Sequence, residues 1–514
     1  MIKEGKEMKN RTIQMGVAVS ALLMGNVLTA GGDIAPVAEV VAPKAKADKP
    51  KWQTRGNMTV KYNVLPGAVD SLEEVFTEGI FYGRLRSNTF YWDWDVENYQ
   101  SGGKLKDNKA WGVGGSLIYK SGVYHGFSFT MGYYGTMNPD FVRMDNSDVK
   151  YVKAGKDTFS RYKVSTGGGW GMHTLGQGFL EYNNGTVDIV AGRQLFESVF
   201  TASNDTKMIP NTFDGVSASV KIAPKTTVRA AWFGAQKLRD HENSHDVITF
   251  KDSEGSKWNN NDDSAVHKGL SYDKFLAAGE DPDHDLFVAD FQTKYVKNLN
   301  FKLSALSVPG VVQDIVAEAH YKFSFENGWA LRPGARYYYQ MDDGGGAVAG
   351  YTNLTGKEAI GYDPGVANSL DSSLFAARLD LLMPKKKGFF RLGYSEVADK
   401  ADIVAPWRGF PTGGFTRAMA QYNWYANTKT YMARAVYKFT PEFKASLRYA
   451  VQDFDDEKVN VQADSTIWHL DMWYNVTKNF QIKGRVGIVD ADPGSTGKTD
   501  VSYNEYRLEF NYLF

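Results

Sequence analysis

From residue 79 to the C-terminus, apolar and polar residues alternate along much of the chain. The last stretch, YRLEFNYLF at 506–514, shows the pattern clearly, because every second residue is aromatic or leucine while Arg507 and Glu509 lie between them. A period of two places successive side chains on opposite faces of a β-strand. Turn residues divide the pattern into eighteen predicted strands. They are 79–92, 110–121, 123–135, 174–183, 186–196, 212–223, 226–239, 284–297, 300–308, 311–325, 329–341, 372–384, 388–398, 428–440, 443–455, 465–477, 480–491 and 501–514.

The connections between these strands alternate in length. Even-numbered strands end in short turns, such as Ser121-Gly122 and the hairpin signal Asn183–Gly185. Odd-numbered strands end in longer inserts, with the short Val308-Pro309-Gly310 link as the exception; examples of the inserts are 136–173, 240–283, 342–371 and 399–427. Short turns on one rim and long loops on the other are typical of outer-membrane barrels. The pattern therefore predicts an all-β fold, a transmembrane antiparallel β-barrel of eighteen strands with short periplasmic turns and long external loops.

The two faces of the predicted strands agree with this fold. In 311–325 and 443–451, small and aliphatic residues of one face lie in mid-strand, aromatic residues lie near the ends, and charged residues occupy the other face. That distribution is typical of a lipid-facing band between aromatic girdles. The alternative is a soluble two-layer β protein with one wet face. In a barrel, the strand that ends at Phe514 would close the cylinder and leave no unpaired edge in lipid.

The residues before the barrel divide into three predicted segments. Residues 1–30 have the basic start, apolar stretch and small residues of a secretory signal peptide that is removed; the apolar stretch is short for a membrane anchor. Residues 31–69 are predicted to be a periplasmic linker. Ser71 and Glu74 have capping-box spacing and predict a short periplasmic helix at 70–78. The transmembrane barrel is then predicted over 79–514.

Composition narrows the chemistry. The 514 residues include no Cys, which excludes disulfides, zinc–thiolate sites and thiol nucleophiles. Formal charge is balanced, with 59 basic and 59 acidic residues, whereas a nucleic-acid-binding chain usually has a basic excess. Aromatic residues make up 14% and mean hydropathy is −0.40, as expected when lipid-facing residues alternate with polar ones. No nucleic-acid partner and no enzymatic activity are predicted.

Several stretches resemble the OprD-like (Opr-type) family of outer-membrane porins. They are TEGIFYGRLRSNTFYWDWD at 77–95 and LGQGFLEYNNGTVDIVAGRQLFESVFTASNDTKMIPNTFDGV at 175–216. The resemblance implies an eighteen-stranded barrel for passive uptake of small solutes in the outer membrane of a Gram-negative bacterium. It also implies a third external loop, here 196–211 with Glu197, Asp205 and Lys207, that folds inward and narrows the pore. The terminal Phe514 resembles the signal that the outer-membrane insertion machinery reads.

Selectivity in such a pore comes from its diameter and from charges at the constriction. Alternation predicts a set of inward arginines and a smaller set of inward acids. The arginines are Arg84, Arg86, Arg229, Arg332, Arg336, Arg378, Arg391, Arg434, Arg448, Arg485 and Arg507, and the acids are Asp188, Asp314, Glu318, Asp380, Asp471 and Glu509. An Arg-rich wall that faces acidic loop residues would guide the carboxylate of an anionic or zwitterionic solute, with Arg84, Arg336 and Arg391 near the narrowest point. The alternative is that these arginines only form ion pairs within the wall.

The sequence predicts a porin for passive diffusion of small hydrophilic solutes and ions, without a cofactor. Its other expected partners are outer-membrane lipid and lipopolysaccharide, and both a monomer and a homotrimer remain open. An adhesin or other surface barrel is one alternative, and a barrel hydrolase is another, although no nucleophile pairs with His173 or His245. Loop 240–285 contains His241–Asp246 and Asp281–Asp285, which could bind Ca²⁺ or a transition metal; a solvated external loop is favoured.

Overall fold

The computed structural model describes residues 52–249, 270–348, 354, 367–419, 422–458, 461–494 and 498–514. The predicted signal peptide and linker residues 31–51 lie outside this part of the chain. Eighteen long strands, β1 to β18, form the wall. In chain order they are Ile80–Trp94, Asn108–Lys120, Phe127–Met137, Gly171–Asn183, Val187–Gln194, Thr212–Ala223, Thr226–Lys237, Leu286–Thr293, Leu299–Val308, Val312–Tyr321, Ala330–Asp342, Ser372–Leu382, Gly388–Val397, Lys429–Lys438, Phe443–Asp453, Asp464–Asn475, Phe480–Asp492 and Tyr503–Leu513.

Each strand of the wall pairs antiparallel with its neighbours, and β18 pairs with β1, so the sheet is a closed barrel. The predicted fold class is confirmed, and each of the eighteen predicted strands corresponds to one observed strand. The terminal residue takes part in closure, because Phe514 and Gly83 exchange two backbone hydrogen bonds of 3.0 Å. A Cβ on Gly83 would lie only 1.9 Å from the Phe514 ring, so a larger residue there would have to displace that ring.

Short elements accompany the wall. The helices are α1 Leu72–Thr77, α2 Arg161–Gly167 and α3 Tyr272–Ala278, and the 3-10 turns are Tyr99–Ser101, Asp140–Val142, Asn146–Tyr151, Lys156–Thr158, Gly345–Ala347 and Pro384–Lys386. Two-residue strands occur at Ala68–Val69, Val123–Tyr124 and Phe323–Ser324, and Trp52–Thr54 pairs with Val60–Tyr62. Ser71 Oγ accepts a hydrogen bond from Glu74 N, and Glu74 Oε2 accepts one from Asp70 N, so the predicted cap forms at α1. Within the described ranges, no helix has the length and apolar content needed to cross a membrane.

The outer face of the wall carries the predicted apolar band. Aliphatic side chains in mid-strand are exposed, among them Leu85, Ile315, Leu392 and Leu447. Exposed aromatic residues lie towards both strand ends; they include Phe81, Phe127, Tyr437, Phe439 and Phe514 on the side of the short turns and Tyr91, Tyr339, Tyr431, Trp468 and Tyr506 on the side of the long loops. An apolar belt between two aromatic girdles matches the hydrocarbon core and interfaces of a bilayer. The opposite face of each strand therefore borders the interior.

Apolar packing also occurs inside the barrel. The largest buried cluster joins wall residues such as Phe233 and Leu374 to loop residues Phe200, Ile403 and Trp407. Buried apolar residues contribute roughly 25 cal/mol per Å² of surface removed from water. The loops after β5 and β13 are thus held within the mouth of the barrel by the same effect that forms a soluble core.

Candidate functional site inside the barrel

The eleven predicted inward arginines occupy the inner face of the wall. Their chain neighbours mark the outer face: Leu85, between Arg84 and Arg86, is 57% exposed, and Leu392, next to Arg391, is 64% exposed. Arg84 and Arg86 themselves are buried. Because the side-chain period of a strand is two, one correct register fixes the face of every residue in that strand.

The loop between β5 and β6, residues 195–211, reaches across the interior to β1 and β18. Asp205 forms an ion pair with Arg84, and its Oδ1 accepts a hydrogen bond of 2.7 Å from Arg86 Nη1. Arg86 Nη2 also donates to Glu509 Oε1 at 2.5 Å. Asn88 Nδ2 donates to the backbone oxygen of Lys207 at 3.2 Å. The loop is therefore attached to a part of the wall that is several strands away from its own strands.

Glu197 and Lys207, the other two predicted loop residues, precede and follow Asp205 along the loop. Glu197 Oε1 accepts from Ser203 N at 2.9 Å, and its backbone oxygen accepts from Arg229 Nη2 at 2.7 Å. The Lys207 ammonium lies 3.8 Å from Asp157 Oδ2 and 4.5 Å from the centre of the Phe90 ring. Burial, followed by the nearby charges of Arg507 and Arg239, lowers the pKa of Lys207 well below its usual range. Together with Asp205, the loop therefore places two carboxylates and one buried lysine inside the barrel.

A second loop, residues 398–428 between β13 and β14, also enters the interior, which sequence analysis did not predict. Gly409 N donates to Phe200 O at 2.8 Å and Ala202 N donates to Trp407 O at 2.9 Å, so the two loops pair by a short antiparallel bridge. A Cβ on Gly409 would lie 1.9 Å from the carbonyl carbon of Phe200. Glycine at this position permits the close approach of the two backbones.

Three predicted arginines hold this second loop. Arg336 Nη1 donates to Pro411 O at 2.6 Å. Arg378 Nη1 and Arg391 Nη1 both donate to Gly414 O, at 2.7 and 2.6 Å. Farther along the loop, Met419 N donates to His469 Nδ1 at 3.2 Å. The loop thus runs from the wall of β11–β13 to β16.

The same arginines are paired with carboxylates of the wall. Asp380, which is fully buried, accepts from Arg391 Nε at 2.6 Å and from Arg332 Nη2 at 2.7 Å, while Arg378 Nε lies 3.7 Å away. Arg336 Nε donates to Glu318 Oε2 at 2.8 Å. In this sector the wall ion pairs that sequence analysis left as an alternative are present.

Farther round the barrel, arginines face one another across strands. Arg391 is opposite Arg434, Arg434 is opposite Arg448, and Arg485 is opposite Arg507. Like charges in directly opposite positions destabilise a sheet. Asp471 relieves part of this repulsion through Arg485 Nε at 2.9 Å and Arg448 Nη2 at 3.3 Å. The register thus concentrates positive charge over β13–β18.

A cavity lies between the first inward loop and this basic sector. Thr206 lines it from the loop, and the wall contributes Lys483, Gly484, Arg485, Arg507 and Glu509. Three of the lining residues, Lys483, Arg485 and Arg507, are basic, and one, Glu509, is acidic. Arg507 also pairs with Glu505, which is fully buried. The cavity measures only about 10 Å³, which is room for about one water molecule, so it marks the point where these cations converge and does not hold a carboxylate in this structure.

Sequence analysis did not single out Lys483, Glu505, Thr206 or the loop 398–428. The alternation that predicts the inward arginines also predicts Lys483 and Glu505 as inward residues, since they occupy inward positions of β17 and β18. The loop carried a different signal. Its apolar residues Ile403, Val404, Trp407, Phe410 and Phe415 are too many for a solvated loop tip.

In the loop 240–285, for which a metal site was an alternative prediction, the Asp246 carboxylate accepts hydrogen bonds from backbone N–H groups of the same loop. Asp246 Oδ1 accepts from Ile248 N and Thr249 N at 2.8 Å each, and Asp246 Oδ2 accepts from His284 N at 2.6 Å. The described residues contain no cluster of three or more potential metal ligands. Residues 250–269 of the loop lie outside the described ranges.

Several solved structures share this architecture. Acinetobacter baumannii OccAB3 matches with a TM-score of 0.62 and 14% identity, over 84% of this chain and 99% of that one. Pseudomonas aeruginosa OccK8 (OprE) matches with a TM-score of 0.62 and 14% identity, over 86% and 99%. The outer membrane protein OpdK of Pseudomonas aeruginosa matches at 0.57 and 14%, over 85% and 99%. No protein-family model and no curated protein sequence matches the chain. The resemblance drawn from the sequence is confirmed at the level of the fold.

Proposed function

We propose that this barrel, which shares the fold of the OprD/Occ outer-membrane channels, is a porin of a Gram-negative outer membrane. It allows small hydrophilic solutes and ions to diffuse passively through its interior. A closed barrel with an apolar exterior satisfies its backbone in lipid and leaves a polar interior for water. The sorted loop lengths and the aromatic girdles support this placement.

The loop 195–211 forms the constriction in this proposal. Its attachment to Arg84 and Arg86 through Asp205 fixes it across the interior, where it leaves a cavity against β17 and β18. Held in this way, the loop limits the size of solutes by its position and not by movement. Glu197 adds a carboxylate on the part of the loop that Arg229 of β7 binds.

The basic sector supplies selectivity. The observation that carries the proposal is the convergence of Lys483, Arg485 and Arg507 on the inner face of the wall beside Thr206. Fixed cations in a narrow, partly dehydrated passage attract anions strongly, because the effective dielectric constant is lower than in bulk water. An anionic solute, or the carboxylate of a zwitterionic one, would pass along this side. A solute with only positive charge would be opposed.

Liposome swelling tests the proposal. Purified protein in liposomes should admit small monocarboxylates and zwitterionic amino acids faster than diamines of similar size, with neutral sugars between them. Protein-free liposomes and heat-unfolded protein are the controls. Equal swelling with all charge classes would contradict the role of the basic sector, and no swelling above the controls would contradict a porin.

A further inference from the structure

The residues that precede the wall form a small hairpin with an ordered tip. Trp52–Thr54 pairs antiparallel with Val60–Tyr62. At the tip, Arg55 N donates to Thr59 O at 2.9 Å and Met58 N donates to Arg55 O at 2.8 Å. Asn57 Oδ1 accepts from Thr59 Oγ1 at 2.6 Å, so the amide side chain braces the turn. Such local bonds give the tip one defined shape.

The tip of the hairpin touches both the wall and the first inward loop. Arg84 Nη1 donates to Met58 O at 2.7 Å. Asn57 Nδ2 donates to Glu197 Oε2 at 2.8 Å. Met58 is 2% exposed. The tip therefore lies beside Arg84, the arginine that also binds Asp205 of the constriction loop.

The base of the hairpin lies at the rim of short turns. The Tyr62 and Tyr82 rings lie with their centres 3.9 Å apart, near the start of β1. Val123 N donates to Gly67 O at 3.0 Å, and Ala68–Val69 pairs in parallel with Val123–Tyr124 in the turn between β2 and β3. The chain therefore reaches the interior from the rim of short turns, opposite to the side from which the two loops enter.

We propose that the hairpin 52–62 is a second constriction element, which narrows the passage from the side of the short turns and sets the charge exposed there. This inference rests on the proposed porin function. The hairpin fills space beside Arg84. It also uses one hydrogen-bond donor of the Arg84 guanidinium and one oxygen of the Glu197 carboxylate. Its removal enlarges the passage and uncovers both charged groups. Asn57 and Met58 are the residues that determine this effect.

Single-channel recording in planar bilayers tests the inference. Replacement of 52–62 by an eleven-residue Gly/Ser chain should raise the conductance of each step by about twofold or more, because conductance rises with pore diameter. The matched control replaces residues 36–46 by the same Gly/Ser chain and should leave conductance unchanged. Far-ultraviolet circular dichroism of all three proteins verifies that the barrel is intact.

Cross-linking provides a readout that does not depend on conductance. The natural chain has no Cys, so thiols introduced by N57C and E197C are its only ones. A short bismaleimide should join them within one chain, whereas N57C with D140C, on an external loop, should remain unjoined.

The outcomes separate the two proposals. The inference would be overturned if the natural chain gives channel steps and their conductance is the same after replacement of the hairpin. It would also be overturned if the N57C/E197C pair fails to cross-link. Either result would leave the porin function standing. Absence of steps from both proteins would contradict the porin function together with the inference. A conductance increase with efficient cross-linking supports the inference.

Discussion

The barrel wall uses arginine in two different ways on its two sides. Over β10–β13, Arg336, Arg378 and Arg391 bind the backbone of the second inward loop and share the carboxylates of Glu318 and Asp380. Over β17 and β18, Arg485 and Arg507 line a cavity together with Lys483. The difference teaches that an inward arginine is not by itself a solute contact. Its role depends on whether a loop carbonyl accepts a hydrogen bond from it.

The largest effect is expected from the loop-binding side. D380A removes the carboxylate that three arginines surround, and the loss of one partner from a buried ion pair costs about 3–5 kcal/mol. We expect a marked loss of folded barrel, measured as heat-modifiable mobility in gel electrophoresis. D140A is the matched control, because that side chain is 86% exposed and an exposed ion pair contributes at most about 1 kcal/mol. Equal loss in both variants would refute the difference between the two positions.

The next effect concerns the contact between the two inward loops. G409A adds a Cβ that overlaps Phe200, so the loops must separate. We expect noisier and larger single-channel currents because the second loop is less firmly held. G167A adds the same group where no atom lies within 4 Å and should behave as the natural chain does. Identical recordings from G409A and G167A would mean that the loop bridge does not shape the passage.

A smaller effect sharpens the comparison between the two sides. R485Q removes a charge from the cavity, whereas R332Q removes one from the group around Asp380. In a salt gradient, R485Q should shift the reversal potential towards cation selectivity, and R332Q should shift it much less. A larger shift for R332Q would place the solute path on the loop-binding side.

The sequence was sufficient to predict the strands of the wall and their faces, but not the loops and the hairpin that lie inside the barrel. Strand identity and face depend on local alternation, which is why the positions of Arg84, Arg391 and Arg485 followed from the pattern. Their partners depend on which loop carbonyl approaches them, as Gly414 does, and nothing local encodes that distance. The entry of loop 398–428 could have been inferred from its buried apolar residues. The hairpin at 52–62 had no comparable pattern, because its contacts with Arg84 and Glu197 are formed by a backbone oxygen and a single amide.

Conductance of the purified protein in planar bilayers is the most direct test of a water-filled passage through this barrel. We predict discrete current steps whose reversal potential in a salt gradient shows a preference for anions, as expected from Lys483, Arg485 and Arg507 beside the constriction loop. Correctly folded, membrane-inserted protein that gives no steps would contradict the account.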